Sequence, residues 1–171
     1  MCCYVEKSSV FLSSLMLGIA SSSFAINTTN ANLSVFASVT SQCAVSTTSL
    51  NFGAYNPGSG NNSTAVITAT CTGASVSSVN FAAGPGGSGS ITNRLLASTT
   101  AGSKDTLRYN LYTDAVFTNV FGDGVTGGSQ TISSKPGAAV TVYGKLPSGQ
   151  NISNYPQNEN FSDTVAITLS Y

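Results

Sequence analysis

The chain has 171 residues, 7% of them charged, with six basic and six acidic side chains and zero formal net charge. Such a surface has no excess of positive charge to place against phosphates, which argues against nucleic acid and anionic membranes as partners. Hydrophobic residues make up 41% of the sequence and fall in short runs among Thr, Ser, Asn and Gly, a distribution that fits an ordered all-β chain rather than a disordered one.

Residues 1–25 read as a signal peptide. Lys7 supplies the positive start, an apolar run covers 10–20, and Ser23-Phe24-Ala25 has the small-x-small form of a cleavage site. The run is shorter than the roughly 20 residues a spanning helix needs, and no second one follows it. The mature chain is then expected to begin at Ile26 and to be soluble once exported. Cys2 and Cys3 precede the apolar run, so neither is the lipid-bearing cysteine of a lipoprotein.

In the next segment Leu33, Val35, Ala37 and Val39 alternate with other residues in the period-2 pattern of a strand with one apolar face. Cys43 and Cys71 are the two cysteines left after cleavage, and an even pair in an exported protein reads as a disulfide. Its loop is long enough to stabilise the fold by about 3–4 kcal/mol. A metal site would want more ligands, and a nucleophilic cysteine would want a histidine; the chain contains none.

Strand-like runs are expected at 50–55, 65–71, 76–83, 107–113, 116–121, 138–146 and 161–171, separated by Gly, Asn, Ser and Pro. No stretch keeps a helical period for three turns. This spacing indicates a single-domain all-β sandwich or barrel. The last run places Val165, Ile167, Leu169 and Tyr171 on one face, and the sequence stops there. Strand-like segments near both ends suggest a subunit that borrows a strand from a neighbour.

Catalytic chemistry is not in evidence. Asp105, Asp114, Asp123, Glu159 and Asp163 form no pair at catalytic spacing, and neither a histidine nor a G-x-S-x-G elbow supports an activated serine. Gly122-Asp-Gly-Val-Thr-Gly-Gly128 lacks the acidic series of a calcium loop and reads as a turn. Lys104, Arg108, Lys135 and Lys145 are scattered and expected in solvent. Tyr109 and Tyr112 lie on opposite faces of their strand, so at least one is a packing residue. The expectation is a protein that is not an enzyme, with no cofactor, metal or small-molecule substrate.

A series of segments carries a more specific signal: Cys43-x-Val45, Leu50-Asn-Phe-Gly-Ala-Tyr-Asn-Pro57, Thr70-Cys-Thr72, Arg94-Leu95, Leu107-Arg-Tyr-Asn-Leu-Tyr-Thr-Asp114, Gly122-Asp-Gly124, Val142-Tyr-Gly-Lys-Leu-Pro-Ser-Gly-Gln150 and Asp163-Thr-Val165. In this order it resembles the spore coat protein U domain family, which includes the Csu-type pilins of archaic chaperone–usher pili. The resemblance covers essentially the whole mature chain. Phe121 stands where such sequences often have Trp, and Phe161 where Tyr is common after a Gly.

The resemblance implies an incomplete immunoglobulin-like β-sandwich, completed by a donor strand from a neighbouring subunit. Residues 26–42 become the donor extension, with Leu33, Val35, Ala37 and Val39 as the inserted side chains, and 43–171 the sandwich domain. Val165, Ile167, Leu169 and Tyr171 become part of the acceptor groove, and the donor runs antiparallel to that final strand. Implied partners are a periplasmic chaperone, an outer-membrane usher and neighbouring copies or related pilin subunits. The implied role is a pilus subunit in adhesion or biofilm formation, exported to the periplasm and then displayed at the cell surface. Two alternatives stand beside it: a coat-like surface protein that forms no pili, and a tip adhesin, which normally carries a further receptor-binding domain. For the donor segment, the plainer alternative is a first strand of the subunit's own sandwich.

Overall fold

The computed structural model describes residues 27–73, 76–133, 137–152 and 159–171. The expected signal peptide and Lys135 lie outside the described residues. The chain divides into two compact units, 1–37 and 38–171. In the first, the described residues 27–37 form no strand and their side chains are exposed.

The second unit carries ten strands among the described residues: β1 (Gln42–Thr47), β2 (Asn61–Thr72), β3 (Ser78–Ala83), β4 (Gly89–Ser90), β5 (Asn93–Ser98), β6 (Thr106–Tyr112), β7 (Gln130–Ser133), β8 (Ala138–Leu146), β9 (Phe161–Ser162) and β10 (Ile167–Ser170). The larger sheet runs β1-β2-β8-β6-β5-β4, with β9 also paired to β5, and the smaller runs β10-β3-β7. All these strand pairings are antiparallel.

Alternation in sequence becomes alternation in burial. Along β2, Ala65, Ile67 and Ala69 are buried while Thr64, Val66 and Thr70 face out, and β8 pairs so that Ala65 meets Val142 and Ile67 meets Val140. From the smaller sheet, β3 sends Val79, Phe81 and Ala83 into the same core, which Leu107, Tyr109 and Leu111 of β6 share. Two sheets contributing one apolar layer make a β-sandwich, whose inner faces are the only positions where these side chains leave water together. A disulfide joins Cys43 to Cys71, directly opposite residues of β1 and β2, and so staples the edge strand of the larger sheet to its neighbour.

Three expected strands turn out differently. Residues 50–55 belong to no strand: the Asn61 amide donates to the carbonyls of Phe52 (2.9 Å) and Ala54 (3.0 Å), Asn51 Oδ1 accepts from the Gly53 amide, and Gly53 has a positive φ of 69°. Side-chain bonds thus replace a ladder. Residues 116–119 form a turn, because the Asp114 carboxylate accepts from the backbone amides of Val116, Thr118 and Asn119, and Val120 and Phe121 make only isolated bridges, to Tyr112 and Gly128. The run 161–171 splits between the two sheets as β9 and β10. Conversely β1, β4, β5 and β7 were not expected as strands; β5 carries Arg94 in an otherwise short apolar run.

The turn carboxylates make the pH response readable. Asp114 is held below its ordinary pKa first by the Thr118 amide, Asp123 by that of Thr126, and Glu159 by the hydroxyls of Ser103 and Ser98. A folded-state pKa below the unfolded one gives stability that is present above the unfolded value and lost as pH falls through the folded one. The thermal midpoint is therefore expected to be flat from about pH 8 to about pH 5 and to fall below about pH 4. A midpoint that drops between neutrality and pH 5 contradicts this, and with no histidine in the chain no ordinary group offers an escape.

Candidate functional site

The core is incompletely covered along one side of the sandwich. On β1, Cys43, Val45 and Thr47 face inward, opposite Cys71, Ala69 and Ile67, yet Val45 is 40% exposed. Opposite them in the smaller sheet, β10 aligns Ile167 with Ala83 and Leu169 with Phe81, which also directs both side chains inward, and both are only half-buried. Cα atoms of β1 and β10 come within 8 Å of each other. The outer edges of both strands pair with no other strand among the described residues.

A cleft of about 710 Å³ opens between the segment that follows β1 and the segment that precedes β10. One wall is residues 50–55, the other residues 159–163, and Leu96, Leu107, Leu146 and Ile152 line it between them. The first wall is seated by its own side chains. Leu50 and Phe52 lie over Gly144, where an added Cβ would stand 2.8 Å from the Leu50 methyls and 2.9 Å from the Phe52 ring. The Tyr55 hydroxyl donates to the Pro147 carbonyl (3.0 Å) and accepts from the Gln150 amide (2.9 Å).

The second wall is held through Asp163. Its Oδ1 accepts from the amides of Gly87 (2.7 Å) and Thr164 (2.8 Å), and its Oδ2 accepts from the Tyr109 hydroxyl (2.6 Å). Gly86, at φ +94°, passes so close to this carboxylate that a Cβ would strike it. Burial first, then the bond to Asp163, raises the Tyr109 phenol well above its ordinary pKa, so the hydroxyl remains a donor. The Tyr109 ring meets Phe52 edge-on, with centroids 5.9 Å apart.

Beneath the 84–87 loop lies Arg94, fully buried. Its Nε and Nη2 donate to the Gly84 carbonyl (3.1 and 2.6 Å), Nη1 to the Ile91 carbonyl (2.9 Å) and Asn110 Oδ1 (2.6 Å), and Nη2 also to the Phe121 carbonyl (2.9 Å). Desolvation lowers its pKa, and the nearby Tyr109 and Asp163 act in the opposite sense. Gly84 in turn donates its amide to Ala166 (2.9 Å), just before β10. The guanidinium thereby ties β5 of the larger sheet to the loop that seats the last strand of the smaller one.

Of the acceptor residues expected from sequence, Val165, Ile167 and Leu169 pack against the core, half-buried, while Tyr171 is 60% exposed. The cleft is lined instead by Leu50, Phe52 and Tyr55 on one side and Phe161 on the other. Both segments were legible in the sequence as strand-like runs, but nothing local showed that they face each other. The expected donor side chains Leu33 (88%), Val35 (80%) and Val39 (90%) are exposed, as is Ala37. Tyr109 packs in the core; Tyr112 is half-buried and meets Phe117 edge-on at 5.5 Å. Lys145 is exposed, as expected, and its Nζ lies 5.2 Å over the Phe117 ring. The Asp123 carboxylate is taken up by the amides of Val125 (2.8 Å) and Thr126 (2.6 Å), a turn.

A model of the Spore Coat Protein U domain matches residues 28–168. No curated protein matches the chain. Among solved structures, a chain of the CsuC-CsuE chaperone-tip adhesion subunit pre-assembly complex, from the archaic chaperone-usher Csu pili of Acinetobacter baumannii, is similar in fold. The TM-score is 0.54 and the identity 14%, over 78% of this chain and 40% of that one.

Proposed function

We infer the function from the family to which this chain belongs, that of the Spore Coat Protein U domain: it is a structural subunit of a cell-surface pilus, assembled by the chaperone–usher pathway through donor-strand exchange. Residues 43–171 form the sandwich that accepts a strand, and residues 26–42 form the extension donated to a neighbour. The observation that carries this reading is the uncovered side of the core, where inward-facing Val45 of β1 and Ile167 and Leu169 of β10 remain partly in water beside two strand edges. An extended segment laid there satisfies backbone groups and apolar side chains at once. The exposed alternation of Leu33, Val35, Ala37 and Val39 supplies a segment of that kind. A coat protein without strand exchange would have its groove closed already, so the open edge favours the pilus.

The chaperone holds the groove in the periplasm, the usher exchanges it for the next subunit's extension, and the polymer is displayed on the surface for adhesion or biofilm formation. Export rests on the signal-peptide pattern of residues 1–25. The role is structural rather than enzymatic, and the candidate carboxylates Asp114, Asp123 and Asp163 are engaged by backbone amides.

Charge in the donor tests the assignment. Val35→Asp or Val39→Asp would carry an unpaired carboxylate into an apolar groove at several kcal/mol, roughly 2–7 for a polar group alone. The expected result on unboiled surface extracts is loss of the SDS-resistant ladder, with the subunit still recovered bound to its chaperone. Ser34→Asp and Ser38→Asp, on the opposite face of the segment, are expected to keep the ladder. Aspartate variants at 35 and 39 that polymerise like the parent show that this segment is not the donor.

A further inference from the structure

Tyr109 touches both walls of the cleft. It rises from β6, whose neighbour Leu107 lines the same cleft. Its ring bears on Phe52 of the 50–55 wall, and its hydroxyl holds Asp163 of the 159–163 wall. Asp163 does not move alone, because Gly87 and Thr164 grip its other oxygen. It also stands where the chain leaves the larger sheet after β9 and crosses to β10 in the smaller one. A contact made there sets where the whole crossover begins.

We propose that Tyr109 gauges the width of the cleft, keeping its two walls at the separation an inserted strand requires. The proposal rests on the reading of the cleft as part of a strand acceptor. A strand flanked on both sides needs walls about 9–10 Å apart, twice the spacing of one ladder. Hydrogen bonds of about 2.9 Å pass out of useful range when lengthened by about 1 Å. A wall free to drift by that amount forfeits the ladder on its side, although the core beneath it stays packed. Tyr109 is thus a positioning residue, acting on the bound strand through Phe52 and Asp163.

Tyr109→Phe keeps the ring and its contact with Phe52 while releasing Asp163. The disulfide-intact mature chain, refolded with an excess of a fluorescent synthetic peptide of residues 26–42, gives a filled complex whose release rate is read by chasing with unlabelled peptide. Y109F is expected to release the peptide about tenfold faster or more, from the strength of a hydrogen bond to a charged acceptor. Tyr112→Phe, the same chemical change on the opposite face of β6, is expected to release at the wild-type rate. Phe52→Leu loosens the other wall and is expected to speed release as well, and it decides the matter if Y109F does not refold. Y109F release within twofold of wild type overturns the proposal, as does an equal acceleration in Y112F or, where it must decide, wild-type release from F52L. A lowered denaturation midpoint with unchanged release assigns Tyr109 to the core alone and equally overturns it. Wild-type chain that takes up no peptide overturns the strand-acceptor reading itself, and the gauge with it.

Discussion

Replacing Arg94 by leucine is expected to abolish accumulation of folded subunit. Leucine removes the guanidinium donors that reach the carbonyls of Gly84, Ile91 and Phe121 and the side-chain oxygen of Asn110, which keeps only its bond from the Leu111 amide. The two buried carbonyls of Ile91 and Phe121 left without this partner cost about 1–3 kcal/mol each, and the part-buried one of Gly84 adds to that, against a total stability of about 5–15 kcal/mol for a domain of ordinary size. Arg94→Lys is expected to fare little better, since one ammonium cannot reproduce a planar fork that serves acceptors on three segments. Arg108→Leu is the matched control: Arg108 lies on the exposed face of β6, where substitutions typically shift stability by within about 0.5 kcal/mol. The check is the yield of soluble subunit from periplasmic extracts and the denaturant midpoint of whatever is recovered. An Arg94→Leu protein that accumulates and melts like the parent shows that the carbonyls find water or other donors, and that the guanidinium is not what joins the two sheets.

The second large effect is a gain. Moving residues 26–42 to follow Tyr171 through a short Asn/Gly-containing linker is expected to make a chain that fills its own groove, folds without a chaperone and remains monomeric. The turn is short because antiparallel neighbours need only a few residues between them. Burying Leu33, Val35 and Val39, now exposed, contributes about 1.5–3 kcal/mol per side chain. At about 2–4 °C per kcal/mol for a domain near this size, the melting temperature should rise by at least about 10 °C over the unmodified monomer. Size-exclusion chromatography and a thermal melt check both halves of the expectation. A permuted chain that aggregates, or that melts no higher than the parent, counts against strand donation by this segment.

Much of the framework was legible because it depends on near neighbours. Alternation at 65–71, 76–83, 107–113 and 138–146 became β2, β3, β6 and β8, since a side chain's face in a strand follows from its position parity. Two cysteines beyond the expected signal peptide left only one intramolecular pairing, and Cys43 meets Cys71.

Elsewhere, long-range partners decided. At 50–55 the alternation was real, but the Asn61 side chain and the space above Gly144 drew the segment out of any sheet. At 161–171 one expected strand was interrupted at Asp163, whose carboxylate found Gly87 and Tyr109, residues 76 and 54 positions away in the chain. In the sequence Arg94 is marked only by its place in the Arg94-Leu95 segment, and charged side chains usually stay in water. Its acceptors are supplied by the folded chain at Gly84, Ile91, Asn110 and Phe121, brought together only when the two sheets close on each other. Parity and composition thus determined that the fold is all-β and which residues make β2, β3, β6 and β8. Which strand edges stay open, and which polar groups lock the walls beside them, depended on contacts between distant segments that no local pattern encodes.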